Sequence, residues 1–355
     1  MQLDTRSQVR LIPSYSLTAD VLSFARCGLQ YRFHRVGSLP ASRPVQMWFG
    51  QFMHGVLEEA YRRYQDSGRI ADREEREKIN ALVEERLRAR GLFARNRKLE
   101  ETAQHRAHVV VEDFAPLLFP FISQAEVRLT ASRPLANQGD IYQMTGVVDV
   151  ISSVDLQRAN PVPNPLLAAL QHEVGASEDP FEVIIDYKGM PRPRAGSLNS
   201  FDEIYDWQVL TYAELRQRQV GAEPVMAAAL VYLNELAPTW KDVENIAQAI
   251  AAGVEAAPID SSDAATLATP RSDRGDWPLL SLDYRVKRAV KVIKVKEEAI
   301  ANAVDRFDQL AIKIEESKAK EKRQGKILSA WVNYSQDPAT CAACDWRQSC
   351  PKPAK

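Results

Sequence analysis

Three of the four cysteines in the chain fall within ten positions, "CAACDWRQSC", as Cys341, Cys344 and Cys350; the fourth, Cys27, stands at the opposite end in "LSFARCGLQYRF". A C-x2-C-x5-C triplet offers three thiolates, one short of the four that a structural zinc or a [4Fe–4S] centre takes. If Cys27 completes the set, any fold must bring both ends of a 355-residue chain to one point. Paired zinc knuckles usually lie closer in sequence, but spacing alone leaves iron, zinc and unligated thiols all open. In a reducing compartment such cysteines are more readily metal ligands or core residues than disulfides.

The start, "MQLDTRSQVRLIPSYS", lacks the three regions of a signal peptide, and no run approaches the roughly 18 to 20 apolar residues of a membrane span. A cytoplasmic protein with no membrane partner is expected. With 46 basic against 47 acidic residues, net charge gives no general attraction for a polyanion. Local clusters exist at Arg86, Arg88, Arg90, Arg95, Arg97 and Lys98; at Lys188, Arg192 and Arg194; and at Arg285, Lys287, Arg288, Lys291, Lys294 and Lys296. Each reads most simply as a solvated helix face.

Apolar residues at helical spacing over 45–64 place His54 on an amphipathic helix. Charged helical pattern then runs over about 72–118, broken near Gly91, as a helical insertion set at 66–120. Segments 124–130, 142–154 and 181–190 are rich in Val, Ile and Tyr and bounded by turn formers, which predicts three strands. A helix over 203–219, a buried strand over 225–233, a loop over 254–280 and one long charged helix over 283–323 complete the pattern. Segment 281–355 is expected to close onto the N-terminal helix within a single domain.

Asp149 ends "GVVD" on the second strand, and Asp186 and Lys188 lie in "IIDYK" on the third. Strand side chains alternate, so Asp186 and Lys188 share a face. Carboxylates on adjacent strands make a hard-oxygen site for Mg²⁺ or Mn²⁺ that leaves room for phosphate oxygens, and a nearby ammonium can offset charge on a phosphate. Gln208 and Tyr212, four apart, share one face of the next helix. Glu126 lies on the first strand. His105 and His108 read as helix surface, His34 and His172 as surface or loop, and Trp207 as core rather than as a base-stacking platform.

In order, G-x-x-x-H (Gly50 to His54), G-x-x-D (Gly146 to Asp149), D-x-K (Asp186 to Lys188) and Q-x-x-x-Y (Gln208 to Tyr212) resemble the PD-(D/E)XK nuclease superfamily in its RecB-like exonuclease branch. The resemblance implies an α/β, restriction-endonuclease-like core, a mixed central sheet flanked by helices. It implies that His54, Asp149, Asp186 and the Tyr187 carbonyl bind the divalent metal, that Lys188 is the catalytic lysine, and that Gln208 and Tyr212 shape the site and contact the DNA strand. Glu126 matches only a loosely defined acidic position. The cysteine pattern resembles the AddB, CRISPR-adaptation and Okazaki-flap types, which carry a [4Fe–4S] cluster, here on Cys27, Cys341, Cys344 and Cys350. The expected protein is a Mg²⁺- or Mn²⁺-dependent deoxyribonuclease, an exonuclease on single strands or DNA ends, serving repair, recombination or phage defence. The alternatives are a non-cleaving, end-binding subunit beside a helicase partner, and a spacer-trimming enzyme beside a CRISPR-adaptation partner.

Overall fold

The computed structural model describes residues 12–40, 46–134, 141–158, 163–175, 177, 179–193, 200–269 and 276–354. Arg194, the first eleven residues and part of the proline-rich stretch near 160 lie outside these. Among the described residues no helix is long and apolar enough to cross a membrane.

One mixed sheet forms the centre. Its strands are β1 (Ser14–Ser16), β2 (Ile122–Pro134), β3 (Ile141–Val154), β4 (Phe181–Lys188), β5 (Val225–Tyr232) and β6 (Val290–Lys294), in the order β1-β3-β4-β5-β6 with β2 also on β3. β2 and β4 run antiparallel to β3, β5 runs parallel to β4, and β6 returns antiparallel on β5. The parallel β4–β5 step needs a crossover, and helix Ser200–Gln217 supplies it.

Helices cover both faces. On one, Phe52, Met53 and Val56 of helix α1 (Gln46–Ser67) pack on Val183, Ile185 and Ala229. Helices α2 (Arg73–Ala89) and α3 (Arg97–Val109) follow, separated where Gly91 adopts positive φ, close to the expected break. On the other face, Ile184, Ala228 and Leu230 meet Val209 and Ala213 of α4 (Ser200–Gln217) and Phe307 of α5 (Glu297–Gln324). The mixed sheet between helical layers is the expected fold class.

Two expectations need correction, and one short strand was not expected. The single helix over 283–323 is a helix at Leu282–Ala289, then β6, then α5. "VKVIK" alternates weakly, and its lysines suit an edge strand, where charge discourages further pairing. The loop over 254–280 holds a helix at Ser261–Ala268, capped by the Asp260 carboxylate. β1, only three residues long, carries too little pattern to be read.

Several of the basic residues read as solvated faces are tied into ion pairs. Arg86 meets Glu59 at 3.2 Å, Arg285 meets Asp113 at 2.7 Å, Arg288 meets Glu235 at 2.9 Å, and Lys291 meets Asp206 at 2.7 Å. His105 lies flat on Trp277 with ring centres 3.6 Å apart, so it is packed rather than free on a helix surface. His34 is tucked against the C-terminal segment, 3.8 Å from Asp345, whereas His172 is exposed. Trp207 is core, its indole N–H donating to the Ala303 carbonyl at 2.7 Å.

The pair that seats α4 on the sheet is Arg216 with Glu182, joined by two hydrogen bonds of 2.6 and 2.5 Å and buried on both sides. Arg216→Met should leave a buried, unpaired carboxylate and cost about 3–5 kcal/mol in urea unfolding, while the double variant Glu182→Leu/Arg216→Met should recover most of that loss. Equal destabilisation of single and double variants would contradict this account.

Candidate active site

The last three residues of β4 bring the site together. All eight residues of this strand are buried. Asp186 and Lys188 face α4, and Tyr187 faces α1, as alternation requires. On the α4 side, Lys188 Nζ donates to Gln208 Oε1 at 2.9 Å and stands 2.5 Å from Asp186 Oδ2. Gln208 Nε2 donates to Asp186 Oδ1 and to the Tyr212 hydroxyl, both at 3.0 Å. One amide thus fixes the carboxylate, the ammonium and the phenol relative to one another. Burial beside Asp186 pushes the Tyr212 phenol up, so it stays neutral.

On the α1 side, the Tyr187 N–H donates to Asp149 Oδ2 at 2.8 Å, and His54 Nε2 sits 3.0 Å from the Tyr187 carbonyl oxygen. His54 Nδ1 is 3.6 Å from Asp149 Oδ2. Burial, and then repulsion from Asp186, hold the Asp149 carboxyl well above the usual range; the Tyr187 N–H and Lys188 oppose the shift.

Glu126 joins this group. It lies between the paired positions Ala125↔Val150 and Val127↔Val148, so it stands across from Asp149. His54, Glu126 and Asp149 each offer a ligand atom within 4.8 Å of the others, the one such group of three among the described residues. Glu126 takes φ of 52°, left-handed backbone in mid-strand, at a cost of order 1–3 kcal/mol. Although the residue reaches solvent, protein crowding its carboxyl and the nearby Asp149 push it up to about 7, against the pull of His54.

One motif glycine, Gly146, and the glycine just after the D-x-K motif, Gly189, are explained by close approach. A side chain at Gly146 would meet the Tyr212 ring at 2.7 Å, and one at Gly189 would meet Gly50 Cα at 2.9 Å. Gly189 lets α1 come down onto the end of β4, whereas a side chain at Gly50 would point into open space; Gly146 lets Tyr212 lie against β3. Tyr205 escaped the sequence reading. Lys188 Nζ sits 4.1 Å over its ring, and Tyr205, Gln208 and Tyr212 stand at i, i+3, i+7, the helical spacing that would have found it.

The chain ends meet elsewhere. Ser16 accepts a hydrogen bond from the Ala19 N–H to start the helical run Leu17–Leu22 and Ser23–Arg26, which leads to Cys27. Cys27, Cys341, Cys344 and Cys350 line one small cavity, and none forms a disulfide. The Trp346 N–H donates to the Cys344 sulfur at 3.4 Å and the Ala354 N–H to the Cys341 sulfur at 3.3 Å. Burial, and then the three neighbouring thiols, push the Cys344 thiol up against the Trp346 N–H.

The donor set at the β4 end, carboxylates with an imidazole and a main-chain carbonyl, fits a hard divalent cation. So does Asp186 Oδ2, a buried oxygen with no well-directed hydrogen bond despite its nearness to Lys188. The sulfurs fit a four-thiolate group.

No curated protein matches the chain. Among solved structures, SSO0001 is similar over 98% of this chain and 91% of its own, at 12% identity and a TM-score of 0.34. A proposed exonuclease from Eubacterium rectale is similar over 90% of this chain and 88% of its own, at 13% identity and a TM-score of 0.41. A family model of the PD-(D/E)XK nuclease superfamily matches residues 19–159 and 177–351. Matched over most of its length, the chain belongs to the PD-(D/E)XK nuclease superfamily.

Proposed function

We propose that this nuclease is a Mg²⁺- or Mn²⁺-dependent deoxyribonuclease of the RecB-like branch, an exonuclease on single strands or DNA ends, with a structural [4Fe–4S] cluster at its joined ends. The observation that carries the reading is the Asp186–Lys188–Gln208 network meeting Asp149, His54 and Glu126 at the end of β4. His54, Asp149, Asp186, the Tyr187 carbonyl and Glu126 would hold the cation, which when bound supplies Lewis-acid stabilisation of a phosphoryl oxygen. Lys188 places its ammonium beside the carboxylates, where it offsets charge building on the phosphate. Gln208 holds that ammonium in position, and Tyr212 braces Gln208. The complete set of these side chains favours a cutting enzyme over a retired, end-binding subunit. Repair, phage defence and spacer trimming share this chemistry.

For the cysteines, a four-iron cluster is favoured over zinc by size. Tetrahedral zinc at about 2.3 Å from each sulfur sets the sulfurs roughly 3.8 Å apart. Among the described residues no three cysteine sulfurs lie within 4.8 Å of one another, and all four cysteines line one cavity. Main-chain N–H groups aimed at two sulfurs suit iron–sulfur ligation. Cytoplasmic location fits an oxygen-sensitive cluster kept with reduced thiols.

Asp186→Ala should lower divalent-metal-dependent cleavage of end-labelled DNA by about 10²-fold or more while melting stays cooperative; undiminished cutting would remove Asp186 from the site. Blocking the 5′ or the 3′ ends of single- and double-stranded substrates in the same assay reads polarity and mode. Anaerobically purified protein should be brown, with broad absorbance near about 400 nm that Cys344→Ser bleaches; stoichiometric zinc without iron would overturn the cluster.

Cation binding must displace the proton that Glu126 holds up to about pH 7. Without metal, the raised value makes the folded chain hold more protons than the unfolded one, so this carboxyl's contribution to stability falls as pH rises from 4.5 towards 7. Metal affinity runs the other way. Mn²⁺ titration should tighten by about tenfold between about pH 6 and 8, and Glu126→Gln should flatten that dependence. An affinity equal at both pH values would exclude Glu126 as a ligand.

A further inference from the structure

Several members of the basic clusters conspicuous in the sequence are engaged in ion pairs, but three cations that formed no cluster there are not. Arg306, Lys313 and Lys320 recur every seven residues along α5 and line one groove of about 600 Å³. Successive members lie about 10 Å apart along the helix axis, so the three form a single stripe about 21 Å long. Among the described residues none of the three has a carboxylate partner, whereas Lys318 on the same helix pairs with Glu315. Among the described residues Glu316 is the one acid lining the groove, and no ion pair joins it to any of the three.

The opposite wall comes from both chain ends. Phe24 and Ala25 lie just before Cys27; Ala330, Val332 and Asn333 precede the cysteine triplet. Asn333 Nδ2 donates to the Phe24 carbonyl at 2.7 Å, and the Gly28 N–H donates to the Asn333 carbonyl at 2.7 Å, so this wall exists only while the ends are joined. Leu310 and Val332 present apolar surface between the charges, and Val332 is 61% exposed. At one end Arg306 sits 4.3 Å over the Trp207 ring, the residue before Gln208.

We propose that this groove is a binding track for single-stranded nucleic acid outside the catalytic site, with the α5 cations on its phosphates and the apolar wall against its bases. The inference rests on the nuclease reading. A regular row of cations without carboxylate partners matches a regular row of phosphates. Apolar surface between them has a partner only where base faces are open, as in a single strand; a duplex hides its base faces in the stack. The joined ends would thereby act in substrate binding, because they form one bank of the track.

Binding of a fluorescent single-stranded oligonucleotide to the full chain, with Ca²⁺ in place of Mg²⁺, tests this separately from cleavage. Arg306→Gln/Lys313→Gln/Lys320→Gln should weaken binding at least about tenfold and lower the slope of log affinity against log salt by about 2, near 0.7 per lost contact. Glu316→Gln should tighten binding and needs no loss of structure to be read. In cleavage assays the triple variant should raise KM and leave kcat within about twofold, since none of the three residues belongs to the β4 site. Unchanged affinity and salt slope in the triple variant, or a loss confined to duplex DNA, would overturn the track. Cleavage failing in wild type while the triple variant still loses single-strand binding would sink the nuclease reading and spare the track.

Discussion

Eight consecutive buried residues in β4 include Glu182, Asp186 and Lys188, and the arrangement of the molecule follows from having to neutralise them. An unpaired buried charge costs several kcal/mol, so each must find a partner within the protein. One helix supplies both sets: Arg216 of α4 meets Glu182, and Gln208 meets Asp186 and Lys188. The spacings match. Eight residues of helix span about 12 Å, and four residues of strand span about 13 Å. With Arg216 at the start of β4 and Gln208 near its end, α4 runs antiparallel to the strand, the direction a crossover to parallel β5 requires. Fold and site therefore share one set of contacts.

The second organising contact joins the chain ends, and it does not depend on sulfur alone. Trp331 packs against Phe24 and Tyr31 with ring centres 6.1 and 6.0 Å away. Arg32 reaches Glu321 at 2.6 Å, and Phe33 lies 4.5 Å from Trp346. These contacts hold α5 and the tail against the N-terminal helical run, and the thiols gather at the rim of this packing. A group bound by the four sulfurs would lock an approach that apolar packing has already made.

How much of this was legible varied with the kind of signal. β3, β4 and β5 were readable because buried strands give uninterrupted Val and Ile runs, and Asp186, Lys188, Gln208 and Tyr212 because their spacing fixes their faces. β6 was not, since an edge strand beside helices on both sides in sequence carries lysines and little burial, and its charges look helical. The α5 cations that have no carboxylate partner among the described residues were invisible for a different reason. Clustering marks where basic residues are dense, but density attracts acids; Arg285 and Arg288 are taken by Asp113 and Glu235. Which cations stay unpaired is a property of packing, and a spacing of seven looks unremarkable in a long helix. Glu126 could be named as an acid on the first strand, but its left-handed backbone turns on the β2–β3 register, which no local pattern reveals.

That backbone gives the catalytic end of the sheet its character. Ladder pairs on either side of Glu126 hold it at φ of 52°, across from Asp149, while Asp186 presses on the same group from β4. Three carboxyl groups thus converge near one lysine and one histidine, and two of them, Glu126 and Asp149, are held above their ordinary range by crowding and mutual repulsion. A protein selected only for stability would relieve both strain and repulsion by replacing one acid with an amide. Keeping them makes sense where a divalent cation supplies the missing positive charge, so that the energy stored in the metal-free site adds to the drive for binding. Lys188 cannot do this alone, because Gln208 and Asp186 already claim its ammonium on the α4 side of the strand.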